Sequence, residues 1–237
     1  AWFDRGILWT YGYNHEEAIL CFERAIDADP KCAMAHWGAG YASGPNYNMP
    51  WDLFDYAGRA AAARAGYAHA RKALDMIAGV TRWEAALIHA LPARYPQPDP
   101  LDPEAMKAWN VDFADAMRDV FAVHPESHEV RTVFAESLLN LTPWKMWDLP
   151  SGQPASGART VEAQKVLEEA LEGDPSALYH PGLLHLYVHL MEMSPFPEKA
   201  LKAGDALRRL VPDAGHLIHM PTHIDILCGH YQNAVDW

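Results

Sequence analysis

The chain is predicted to be all-α, a solenoid of antiparallel helix pairs wound as a right-handed superhelix. Three observations predict it. Apolar residues recur at helical spacing through most of the 237 residues. Proline follows the ends of these stretches, at Pro30, Pro125, Pro175 and Pro212, because it cannot continue a helix. A pattern of aromatic and small residues near the start fits a helix–turn–helix unit of about 34 residues.

In that first unit Trp2, Gly6 and Trp9 fit the first helix, Ala18, Phe22 and Ala25 the second, and Pro30 closes it. Asn14 and Glu17 are spaced as a capping box opening the second helix. Trp37, Gly38 and Tyr41 then begin another first helix in phase. These residues resemble the tetratricopeptide repeat (TPR) family. Helical periodicity continues over Asp52 to Ile77, Arg82 to Ala93, Pro103 to Val123 and Glu126 to Leu141. Irregular insertions are expected at 44–51, 96–103 and 142–158. A single domain over 1–237 is expected, with its clearest repeats at 1–43 and 180–237. Gly229, Tyr231 and Ala234 fit the turn and second helix of a last repeat. Half a repeat cannot bury its apolar face, so a fragment of a longer array is expected, with self-association through the incomplete repeat as the other way to cover it.

Composition narrows the partners. Lys and Arg number 19 against 31 Asp and Glu, a net charge of −12, which repels phosphate backbones and argues against nucleic acid. Cys21, Cys32 and Cys228 form no C-x-x-C pair, so neither a disulfide framework nor a thiolate metal site is indicated. No apolar run approaches the roughly 20 residues that span a bilayer. The expected location is cytoplasmic.

Chemistry concentrates in the last third. His180, His185 and His189 lead to Glu192, and His216, His219 and His223 follow, at spacings that stack side chains on one helix face. The TPR resemblance implies a groove lined by the first helices of the repeats. With Val188 and Thr222 at the small-residue positions, His185, His189 and Glu192 face the groove from one helix and His219 and His223 from the next, with His216 a turn earlier. Helices packed 8 to 10 Å apart can present such imidazoles to one ion. Taking Ala135 as a third small position turns Glu136 to the groove, with Asn140 a turn later. The expected metal ligands are therefore His185, His189, His219 and His223, with Glu192 and Glu136 as carboxylate ligand or general base. His180, His216 and Asn140 are expected to surround them.

Neither HLYVH nor HMPTH carries the glutamate of an H-E-x-x-H peptidase, so that chemistry is not expected. Imidazole and carboxylate ligands suit copper, iron or zinc alike. Two function classes remain open: a metal-dependent enzyme, oxidoreductase or hydrolase in type, acting on a small molecule, and a non-catalytic scaffold holding a peptide or protein in its groove. A buried hydrogen-bond network is a further account of the histidines. Asn46, Tyr47, Asn48 and Trp51 in one insertion, with Trp144 and Trp147 in another, are candidate walls of a substrate pocket.

The strings FAESLLNLTPW, HPGLLHLYVHLMEMSP and GHLIHMPTHIDILCGHY resemble a microbial family of TPR-containing proteins of unassigned activity. That resemblance covers nearly the whole chain. It implies the fold, and members that extend past the point where this chain ends.

Overall fold

A computed structural model describes residues 1–237 and contains twelve α-helices and one two-residue-per-strand hairpin, so the protein is all-helical in substance. By contacts the chain divides into two compact units, Ala1–Val130 and Arg131–Trp237. No helix is long and apolar enough to cross a membrane.

Unit 1 opens with α1 (Trp2–Tyr11) and α2 (His15–Ala28), joined by a short turn in which Tyr13 takes a left-handed φ of 56°. α3 (Ala33–Ala42) is buried along its whole length, as its composition of alanine, glycine and aromatics allows. Phe22 of α2 is fully buried, and glycines make room for it: a Cβ on Gly6 would meet its ring at 2.6 Å and one on Gly38 at 2.4 Å. Two helices thus approach one aromatic ring only because both lack a side chain there. Trp37 stacks on Tyr41 at 5.1 Å and donates from its indole to the Leu87 carbonyl at 3.1 Å, tying α3 to the start of the next layer.

α4 (Tyr56–Asp75) begins where the Asp55 carboxylate accepts from Gly58 N, later than the periodicity alone predicts. Residues Trp51–Leu53 form a 3₁₀ turn instead. α5 (Arg82–Ala90) carries a full capping box between Thr81 and Glu84. α6 (Pro103–Val123) has both expected ends, since Asp102 caps it and Pro103 occupies its first position.

α7 (His128–Leu139) carries the chain into unit 2. The insertion after it forms β1 (Trp147–Asp148) and β2 (Gln153–Pro154), where only a loop is expected from the sequence. The Trp147 indole donates to the Leu190 carbonyl at 2.7 Å, which docks this hairpin on α9. α8 (Thr160–Gly173) follows, then α9 (Pro181–Met191), every residue of which is buried. α10 (Leu201–Leu207), α11 (Gly215–Leu227) and α12 (Tyr231–Asp236) complete the unit, and α9 packs on both α10 and α11.

α11 is unusual in holding Pro221 in its interior. Proline offers no N–H to the Leu217 carbonyl and crowds it, which removes one hydrogen bond from the helix between Leu217 and Pro221. Gly204 of α10 accommodates the ring, since a Cβ there would lie 3.2 Å from Pro221 Cβ. Arg208 donates to Asp225 at 2.8 Å, with both side chains nearly fully buried, and so pins α11 one half-turn beyond His223. α12 leaves Tyr231, Val235 and Trp237 exposed.

Candidate metal centre

α9 starts by a local rule. His180 takes an extended backbone, its Nδ1 accepts from Leu183 N at 3.2 Å, and Pro181 supplies the preset first helical φ. His180 is therefore the cap of the helix that carries the site. From that start, residues 185 and 189 fall one turn apart on a helix with no solvent-facing side, and both imidazoles are enclosed, at 1% and 3% exposure.

His216 of α11 completes the group. One ring nitrogen from each of His185, His189 and His216 lies within 4.8 Å of the other two, a set that can hold a metal ion. The ring centroids are 4.6 Å apart for His185 and His189, 4.8 Å for His185 and His216, and 5.7 Å for His189 and His216. Two nitrogens bound to one ion at 2.0 to 2.1 Å are about 3.4 Å apart in a tetrahedral site. The three rings would have to close by about an ångström around an ion, within reach of side-chain rotation.

Glu192, one turn after His189, organises the surroundings. Its Oε1 lies 2.9 Å from His189 Nδ1 and its Oε2 2.5 Å from His223 Nδ1. Burial pushes this carboxyl up, yet the hydrogen bonds from His189 and His223 outweigh it and hold it down at about 2. The anion accepts from both imidazoles, so each carries a proton on Nδ1 and keeps Nε2 as the ring nitrogen facing away from the carboxylate. Burial pulls His189 below its ordinary value, against the pull of Glu192. His216 is lowered to about 4, through burial and then the neighbouring His189, His219 and His223. Both are thus neutral near pH 7, the form a metal requires. His223 is raised, because its hydrogen bond to Glu192 exceeds the effect of burial.

Of the four ligands expected from the sequence, His185 and His189 stand in the compact group, with His216 as their third member. His219 and His223 form a neighbouring pair, Nε2 to Nε2 at 2.9 Å, linked back through Glu192. The sequence signals His216, which shares a helix face with His219 and His223 and stands one turn before them. Glu136 and Asn140 are buried on and just after α7, at 5% and 6% exposure, and neither belongs to the compact group.

The aromatic insertions divide between the two units. Tyr47 and Trp51 are enclosed in unit 1, where Trp51 meets Trp109 edge-on at 6.4 Å. Asn46 is also buried and its side-chain oxygen accepts from the amides of Asn48 and Met49, which fixes the turn. In unit 2 Trp147 is buried against α9 while Trp144 is 41% exposed. Comparison with family models, with curated proteins and with solved structures returned no match.

Proposed function

We propose that this chain is a TPR-like helical-repeat protein whose second unit binds a transition-metal ion through His185, His189 and His216 and uses it on a small molecule. One observation carries the reading: three imidazoles from two helices converge within 4.8 Å, two of them on a helix that is otherwise wholly apolar apart from Tyr187. Burying imidazoles in such a helix is unfavourable unless they are bound or hydrogen-bonded. Three histidines leave a fourth coordination position for water or substrate, the arrangement of catalytic rather than structural ions. The ion would polarise a bound oxygen or lower the pKa of a bound water.

Within this proposal Glu192 orients rather than reacts. Both of its oxygens are engaged, and a carboxyl held at about 2 is a poor base near neutral pH. Glu136 is the candidate general base from α7. Copper, iron and zinc all suit the ligands. The repeat assignment draws support from Gly6 and Gly38 flanking Phe22, the small-against-aromatic packing that the TPR pattern places at these positions.

Elemental analysis of protein purified without an affinity tag tests the proposal. About one equivalent of a transition metal is expected, retained through dialysis and lost in His189→Ala and His216→Ala. Wild-type protein that holds well under one equivalent, even after incubation with copper, iron and zinc salts, would overturn it in favour of a hydrogen-bonded polar core.

A further inference from the structure

His219 and His223 stand apart from the buried group in two respects. They are reachable, since His219 is exposed and the His223 side chain is 37% exposed. They also already have ligand spacing. Their Nε2 atoms are 2.9 Å apart. Two nitrogens held at right angles on an ion at 2.0 to 2.1 Å are about 2.9 Å apart, against about 3.4 Å for the tetrahedral angle. The spacing matches adjacent corners of a square-planar or octahedral ion, and the two rings would turn so that both Nε2 lone pairs converge on it.

The backing is equally specific. Glu192 Oε2 fixes the proton of His223 on Nδ1, at 2.5 Å, so the lone pair of Nε2 points toward His219. Without an ion, the two imidazoles share a hydrogen bond between their Nε2 atoms. On binding, each ring would carry its proton on Nδ1 and both Nε2 atoms would become ligands. Thr222 donates to the His219 carbonyl at 2.7 Å, and Pro221 lies between the two histidines.

We propose that His219 and His223 form a second transition-ion position, separate from His185, His189 and His216 and joined to them through Glu192. This goes beyond the single ion of the proposed function. One carboxylate braces His189 of the inner position with one oxygen and His223 of the outer position with the other. The inner ion would have three protein ligands, two of them buried and His216 half-buried. The outer ion has two, and its remaining corners are open to water or to oxygen donors of a substrate. Imidazole ligation at right angles selects copper(II) or nickel(II) over zinc.

The test is copper(II) titration of the full chain, read by equilibrium dialysis with elemental analysis and by electron paramagnetic resonance. Two equivalents per chain are expected, with dipolar broadening when both positions are filled. His219→Ala and His223→Ala should each hold one equivalent and lose the broadening, while His216→Ala should lose the other equivalent. His219 is exposed, so its variant keeps the fold even if the His223 variant does not, and circular dichroism checks both. A single wild-type equivalent that survives His219→Ala and disappears in His216→Ala overturns the second position and leaves the first. A single equivalent lost in His219→Ala but kept in His216→Ala overturns the inner site and leaves this one.

Discussion

Glu192 is a single side chain on which two imidazoles depend. Its replacement by glutamine keeps the shape but removes the charge, and the amide nitrogen presents a donor to one of two N–H groups. Glu192→Gln is therefore expected to weaken metal affinity by about 10- to 100-fold, measured by competition with a chelator of known strength. Unchanged affinity would mean that the histidines orient without it. A different pair in unit 1 titrates against the fold. His36 and His69 approach Nδ1 to Nδ1 at 3.2 Å; burial lowers both, and His69 also feels His36, which brings it to about 4. Their folded values lie below the unfolded value near 6.5, so the unfolded chain binds more protons between the two. Their stabilisation is complete above about 6.5 and is lost as pH falls toward 4. His69→Gln should flatten that part of the stability-against-pH curve, seen in urea melts taken from pH 7 to pH 4; an identical slope would assign the acid loss to other groups.

At the scale of elements, Phe22 shows how much of the fold the sequence carries. Gly6, Phe22 and Gly38 were legible as a repeat pattern because small residues must face a large one across a helix pair, and the structure places both glycines against the ring. A methyl at Gly38 has nowhere to go. Gly38→Ala is expected to cost about 1 to 3 kcal/mol, and Phe22→Leu in the same chain should recover part of it, as a double-mutant cycle would read. Additive effects would show that the ring has room to shift. Helix ends were legible where side chains set them, as with Asp102 and Pro103 at α6. The start of α4 was not, because periodicity runs on through residues that a 3₁₀ turn and the Asp55 cap divide. The membership of the histidine group was half legible. His185 and His189 follow from spacing within one helix, whereas spacing names His216, His219 and His223 on α11 without showing which of them meets the pair on α9. The buried Arg208–Asp225 pair left no pattern in the sequence, since its residues lie 17 apart on separate helices.

For the molecule as a whole, an ion that binds only the folded state adds to its stability by mass action. At a free concentration 100 times the dissociation constant the gain is about 2.7 kcal/mol. Hydrogen exchange should then slow across α9 and α11, and this slowing should vanish in His216→Ala. Exchange that is indifferent to metal would argue against an ion held between those helices. The net charge of −12 bears on the same event, because an acidic surface raises the local concentration of cations. Metal association should accordingly slow as ionic strength rises, which stopped-flow mixing at low and high salt can measure.

The indole of Trp147 gives this chemistry an optical signal of its own. It is buried, and it is hydrogen-bonded to the carbonyl of Leu190, the residue next to His189. An open-shell ion such as copper(II) drains the excited state of a nearby indole, whereas closed-shell zinc does not. Ultraviolet emission should dim in step with copper loading and stay bright with zinc. Trp147→Phe should remove most of that dimming while the other eight tryptophans continue to glow.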